Sequence, residues 1–165
     1  MSERPVITLE PWEYEWASHV GIRRFIENWG KGDAVHYQRE RMQDDRTAQV
    51  AACVAEIAVA KYANRYWSGS AWKASQHGAN KDGPDVGTNI EVKRLRTRNY
   101  ATVRRRQVNK GMVLFVAKPI EPELRQVIIY GFRDYDEAWN LASQPDECDK
   151  SGNTRLLDLR HLRLL

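Results

Sequence analysis

Three residues between positions 85 and 93 carry the side chains that metal-dependent hydrolysis needs. Asp85 and Glu91 enclose five residues, an odd number, so a hairpin without a bulge can pair them directly and project both to one face. Lys93 lies two positions after Glu91 and shares that face, while Val92 points the other way. The spacing therefore predicts two carboxylates and one ammonium group together at one end of a sheet.

The sequence between the two carboxylates suits a tight turn. The predicted register closes on Val86 and Ile90 around a three-residue loop, residues 87–89. The last position of such a loop commonly takes a left-handed backbone, which asparagine tolerates. We therefore expect Asn89 to be the left-handed residue of this turn.

This set of groups has a defined chemistry. Hard divalent cations such as Mg²⁺ bind carboxylate and carbonyl oxygens, and they need few protein ligands when a substrate phosphate completes the shell. Asp85, Glu91 and the carbonyl of Val92 would suffice. A metal so held lowers the pKa of a bound water and neutralises charge on a phosphodiester, while Lys93 would orient the water or stabilise the developing oxyanion.

Several other segments have the pattern of regular secondary structure. Residues 11–29 begin with proline and carry apolar side chains at helical spacing. Residues 47–60 contain one charge, Glu56, in an alanine-rich run, which predicts a buried helix. The remaining predicted elements are strands at 65–73, 112–117 and 126–132, a helix at 134–142, and a strand or helix in the tail from 154. Their order indicates an α/β fold with a mixed β-sheet flanked by helices.

Pro84-Asp85 and Glu91-Val92-Lys93 resemble the signature of the PD-(D/E)XK nuclease superfamily, which includes restriction endonucleases, Holliday-junction resolvases and phage exonucleases. In that fold a helix bearing a glutamate precedes the motif, and Glu56 stands in that place. A small basic chain with these late strands also resembles phage-encoded members of the superfamily.

The resemblance implies a restriction-endonuclease-like fold with an αβββαβ-type core. Asp85 and Glu91 would be metal ligands, Lys93 the catalytic lysine, and Glu56 a carboxylate that binds the metal directly or through water. The implied cofactor is Mg²⁺ or Mn²⁺, with Ca²⁺ usually failing to support cleavage. The chain departs from the family at residues 97–110, where the family core has a second helix and this sequence shows no clear helical pattern.

The basic charge of the chain is concentrated in one stretch. Residues 93–110 hold eight lysines or arginines and no acid, and without these eight, 18 basic and 22 acidic residues remain. This distribution predicts a surface that faces a polyanion, although a solvated run of charge has the same composition. Besides Lys93, the candidates for phosphate contacts are Arg94, Arg96, Arg98, Arg104, Arg105, Arg106 and Lys110.

The bulk composition bounds the class of protein. We expect one domain over residues 1–165, with residues 1–43 as an N-terminal helical extension. The start of the chain lacks a signal-peptide pattern and no segment is apolar enough to span a membrane, so we expect a cytoplasmic protein, in a host cytoplasm if it is phage-encoded. Cys53 and Cys148 are expected to be free thiols, without a structural zinc site.

Three alternatives remain for the motif residues. An aspartate and a Glu-x-Lys on neighbouring strands also occur as surface ion pairs. Glu56 would be structural if it formed a salt bridge with Lys61, Arg65 or Lys93. Asp82 would replace Asp85 if a bulge shifted the register.

The function that these observations favour is a metal-dependent DNA endonuclease rather than an exonuclease. Specificity would come from the structure of branched or junction DNA, or from a homodimer presenting two active sites. Two other classes stay open: a nucleic-acid-binding protein that keeps the fold without catalysis, and a phage structural or host-interaction protein.

Overall fold

The computed structural model describes residues 3–28, 44–71, 83–147 and 149–165. It is a mixed α/β structure whose α-helices in these ranges are α1 (Pro11–Glu27), α2 (Asp45–Ala63) and α3 (Tyr135–Leu141). The strands are β1 (Val6–Thr8), β2 (Ile90–Arg94), β3 (Tyr100–Arg104), β4 (Val113–Pro119), β5 (Gln126–Asp134), β6 (Gln144–Pro145) and β7 (Thr154–Asp158). Two 3₁₀-helices follow β3 and β7, at Arg105–Gln107 and Leu159–His161.

The strands form two sheets. The first has the order β1-β5-β4-β2, with β2 parallel to β4 and the other neighbours antiparallel. The second has the order β3-β7-β6 and is antiparallel throughout. The predicted mixed sheet with helices is therefore confirmed as a general α/β arrangement.

Most predicted elements are found where the sequence placed them. The two early helices, the two strands after residue 112 and the short helix after Asp134 are confirmed, and the tail begins with a strand. The predicted strand at 65–73 is wrong over residues 65–71, which have no regular structure, and 72–73 lie outside the described residues. Here Trp67 is buried against Trp16, with ring centroids 4.8 Å apart, and not in a sheet.

Helix α2 lies at the centre of one core and has clear signals at both ends. Asp44 precedes it, and its side chain accepts a hydrogen bond from the backbone of Thr47 at 2.9 Å. Asn64 ends it with a left-handed backbone at φ 53°. Helix α1 packs closely on it because Gly21 has no side chain: a Cβ there would lie 2.6 Å from the Cα of Val50. No helix in the described ranges has the length and apolar character to cross a membrane.

The first sheet separates two hydrophobic cores. Ile90 and Phe115 face helices α1 and α2 in one core. Leu114 and Val116 face the second sheet and α3 in the other core. Since side chains alternate along a strand, the face of β2 that carries Glu91 and Lys93 is the face toward the second sheet.

The turn before β2 differs in detail from the prediction. The bridge between Val86 and Ile90 confirms the predicted register, but residues 83–89 contain no strand and Asp85 does not pair with Glu91 in a ladder. The backbone N–H of Asp85 instead donates to the carbonyl of Ile90 at 2.8 Å. The prediction that Asn89 is left-handed is wrong, because Gly87 takes that conformation at φ 57° without the strain that a side chain brings.

Candidate functional site

Asp85 lies at the open edge of the first sheet, next to the backbone of β2. Asn89 and Leu95 exchange backbone hydrogen bonds with β4 at the two ends of β2. The alternation in a parallel pair then directs the N–H and carbonyl of Val92 to the open edge. Asp85 Oδ2 accepts a hydrogen bond from that N–H at 2.8 Å. The carboxyl of Asp85 and the carbonyl of Val92 therefore lie along the same edge.

Glu91 is almost buried and sits between two side-chain donors. Lys93 Nζ donates to its Oε1 at 2.8 Å, and Gln107 Nε2 donates a longer hydrogen bond to its Oε2 at 3.4 Å. Burial would lower the pKa of Lys93, but Glu91, helped by Tyr135 and Asp85, raises it above the ordinary value. Lys93 is thus a cation at neutral pH and cannot act as a general base there.

Within this group, the structure disfavours the ionised form of the Asp85 carboxyl. Burial raises its pKa well above the ordinary range, and repulsion from Glu56 and Glu91 adds to the rise. Lys93 and the hydrogen bond from Val92 oppose this effect only in part. The charged form of Asp85 is therefore one that a proton or a nearby cation would relieve.

Glu56 is engaged in a structural ion pair, with a partner that the sequence did not suggest. Arg24 of α1 donates to both of its oxygens, at 2.8 and 3.1 Å, and Trp67 Nε1 donates to Oε2 at 2.8 Å. Burial would lower the pKa of Arg24, but Glu56 reverses this effect and raises it. An ion pair joining residues 32 positions apart on two helices has no local sequence signal.

The three salt-bridge partners expected for Glu56 are engaged elsewhere. Lys61 pairs with Glu13 at 2.9 Å, and Lys93 pairs with Glu91. Arg65 donates to the backbone carbonyls of Ala63 and Asn64. Asp82, the alternative to Asp85, lies outside the described residues.

The site contains the types of donor atom that a metal ion needs, but its geometry suits a metal ion only in part. Among the described residues, no three His, Cys, Asp or Glu side chains form a group that could hold a metal ion. Glu56 does not fit as a direct ligand, because Arg24 and Trp67 occupy its oxygens. Asp85, Glu91 and the edge carbonyl of Val92 are oxygen donors of the type that a hard cation binds.

Gln107 is a site residue that the sequence reasoning missed. It is 1% exposed in the 3₁₀-helix after β3, and its Oε1 has no hydrogen-bond partner. Because its Nε2 faces Glu91, the amide can orient that carboxylate. The signal available in the sequence was an uncharged amide directly after Arg104-Arg105-Arg106.

The predicted phosphate-contacting residues lie in different surroundings. Arg96 Nε pairs with Glu121 at 2.9 Å, and the guanidinium of Arg98 lies 5.5 Å from the ring centre of Tyr100. Arg94 is half-buried at the end of β2, and Lys110 is exposed. The other three, Arg104, Arg105 and Arg106, line one cleft.

The described cysteine agrees with the sequence prediction. Cys53 is a buried free thiol, and burial raises its pKa so that it stays protonated. Cys148 lies outside the described residues. A neutral buried thiol has no nucleophilic role in this site.

No protein-family model matches the chain, and neither a curated protein nor a solved structure is significantly similar to it.

Proposed function

We propose that the protein is a metal-dependent DNA endonuclease that hydrolyses phosphodiester bonds, with its active site at Asp85, Glu91 and Lys93. One observation carries this proposal: the carboxyl of Asp85 lies at an open sheet edge within electrostatic range of the Glu91–Lys93 ion pair, where burial and two acidic neighbours oppose its charge. A half-buried carboxyl with such a perturbed pKa beside defined charge partners is typical of functional sites.

In this proposal Asp85, Glu91 and the carbonyl of Val92 bind Mg²⁺ or Mn²⁺. The ion supplies Lewis acidity, which lowers the pKa of water and offsets phosphate charge. Lys93, which is protonated, moves its hydrogen bonds from Glu91 toward a phosphate oxygen and stabilises the negative charge that develops there. Gln107 would keep the Glu91 carboxylate oriented while Lys93 donates its hydrogen bonds to the substrate phosphate.

Glu56 has an indirect part in this scheme. A direct bond to the metal would require it to give up a bidentate ion pair with Arg24 in a nearly buried place, which is unfavourable. We therefore assign it the water-mediated role, with Arg24 and Trp67 fixing its position. The restriction-endonuclease-like core belongs to the same proposal, with α2 as the helix that precedes the motif.

The substrate class that we favour is branched or junction DNA. Arginine contacts to phosphates bind without reading base sequence, so discrimination would come from the shape of the nucleic acid. A homodimer that presents two active sites is compatible with cutting two strands.

The test of the proposal is cleavage of linear, nicked, single-stranded and four-way DNA with Mg²⁺, Mn²⁺, Ca²⁺ or EDTA. We expect Asp85→Asn, Glu91→Gln and Lys93→Met each to reduce the cleavage rate at least about 100-fold, the scale of losing one stabilising group at a reacting centre. The matched controls are Glu123→Gln, at an exposed acid, and Lys118→Met, at a half-buried lysine of β4. Motif variants as active as the controls would refute the proposed site.

A catalytically inactive nucleic-acid-binding protein is the second candidate. The pairing of both Glu56 oxygens favours it, because this ion pair removes one acid from the metal-binding set. The two candidates differ in one result: the inactive protein binds DNA but cleaves none of these substrates with any of the metals.

A further inference from the structure

A cleft opens at the end of the β3–β7 ladder. Its volume is about 480 Å³, inside the range of about 300–1,000 Å³ that is usual for small-ligand sites. One wall is the end of β3 and the 3₁₀-helix that follows, and the other is the turn before β7. The lining residues are Arg104, Arg105, Arg106, Asp149, Ser151, Asn153 and Thr154.

Backbone pairing fixes the distance between the two walls. Arg104 pairs with Thr154 in the antiparallel ladder, and the backbone N–H of Arg105 donates to the carbonyl of Asn153 at 2.9 Å. The cleft is therefore part of a sheet end and does not depend on side-chain contacts for its width.

Among the described lining residues Asp149 is the one acid, and its oxygens accept hydrogen bonds from within the turn. Ser151 donates to Oδ1 from both its backbone N–H and its hydroxyl, and the Thr154 hydroxyl donates to Oδ2 at 2.6 Å. These hydrogen bonds, from Ser151 and then Thr154, lower the pKa of Asp149. With one carboxylate tied into the turn against three guanidinium groups, the cleft has a net positive charge.

Arg104 connects the cleft with Tyr135 of α3. The backbone N–H of Arg104 donates to the hydroxyl of Tyr135 at 2.8 Å. Tyr135 belongs to the hydrophobic core between the two sheets, the side of the first sheet that Glu91 and Lys93 face.

We propose that this cleft binds a backbone phosphate of the nucleic-acid strand next to the bond that is cut. This proposal rests on the proposed function, because that function places the cut bond near Lys93.

The basic stretch then falls into two groups. The arginines of the cleft hold the strand. Arg96, which pairs with Glu121, and Arg98, which lies over the ring of Tyr100, are outside the cleft and contribute only general positive potential. Bidentate contacts from arginine suit phosphate oxygens.

The test compares variants that each lower the net charge by one unit, inside and outside the cleft. Arg105→Gln and Asn153→Asp alter exposed cleft residues, while Arg98→Gln and Asn99→Asp are the matched changes outside it. Binding of a fluorescein-labelled four-way DNA is measured by anisotropy in EDTA at several salt concentrations, and circular dichroism checks folding. We expect each cleft variant to weaken binding about tenfold, as for a lost charged hydrogen bond, and to lower the salt slope by about one; each outside variant should weaken it less than about twofold.

The outcomes separate this proposal from the proposed function, because the binding assay requires no catalysis. Equal losses in all four variants, or no DNA binding by the unmodified protein at low salt, would overturn the cleft and leave cleavage to be judged by its own assay. Selective losses in the two cleft variants of a protein that cleaves nothing would support the cleft and refute the endonuclease.

Discussion

At the scale of single residues, the unusual feature is a carboxyl whose ionisation the fold disfavours. Asp85 is held at a sheet edge by one hydrogen bond from Val92, with burial and the charges of Glu56 and Glu91 opposing its negative form. Functional sites commonly retain an electrostatically unfavourable group whose repulsion a bound ligand offsets. Such a group lowers the stability of the fold and contributes to activity. The same negative charges that oppose the ionisation of Asp85 would attract a metal cation.

Replacing Asp85 should therefore stabilise the fold in a pH-dependent way. A folded pKa above the unfolded value means that, between the two values, the folded state keeps a proton that the unfolded state releases. Stability linked to Asp85 is complete below its ordinary range near pH 4, is lost as pH rises through the raised folded pKa, and stays lost above it. We expect Asp85→Asn to be more stable than the unmodified protein at pH 8, with the difference shrinking toward pH 4.

Urea unfolding at pH 4 to 9 measures this prediction. Glu147→Gln, at an exposed acid, is the control and should leave the free energy of unfolding unchanged within about 0.5 kcal/mol. A destabilised Asp85→Asn at pH 8, or a difference that grows toward acid, would mean that Asp85 is a stabilising charge and not a strained one.

At the level of helices and strands, the sequence pattern predicted elements whose formation depends on local composition. The alanine-rich run predicted α2. No strand was predicted at Tyr100–Arg104, where the sequence showed only the lack of a clear helical pattern, and the structure has a strand there with Ala101 and Val103 buried. The family resemblance implied a second helix at this point. A helix would bury a different set of side chains from the alternating set that the observed strand buries. The Trp67 segment was misread because aromatic residues favour strands, whereas here the indole packs on Trp16 and bonds to Glu56.

The close crossing of α1 and α2 gives a prediction at this scale. Gly21→Ala would normally strengthen a helix, but its Cβ would meet the Val50 backbone at 2.6 and 2.8 Å, and backbone cannot swing aside. We expect a loss of about 1–3 kcal/mol in the free energy of unfolding, the range of overpacking. His19→Ala, at an exposed position of α1, is the control. A stabilised Gly21→Ala would show that the helices lie farther apart.

At the scale of the whole molecule, the first sheet separates the acidic groups onto two sides. Glu56 and Arg24 belong to the helix side, Glu91 and Lys93 face the second sheet, and Asp85 lies at the edge between them. Strand parity predicted that Glu91 and Lys93 share a face, but the pairing of Glu56 with Arg24 depends on how two helices pack. The cleft likewise depends on β3 meeting β7, a long-range contact that the sequence pattern did not reveal.

Calorimetric titration with Mn²⁺ measures whether Asp85 and Glu91 together bind a divalent cation. We expect saturable binding by the unmodified protein and by Glu123→Gln, with binding lost in Asp85→Asn and in Glu91→Gln. No saturable binding by the unmodified protein, or undiminished binding by both motif variants, would contradict the proposed metal binding.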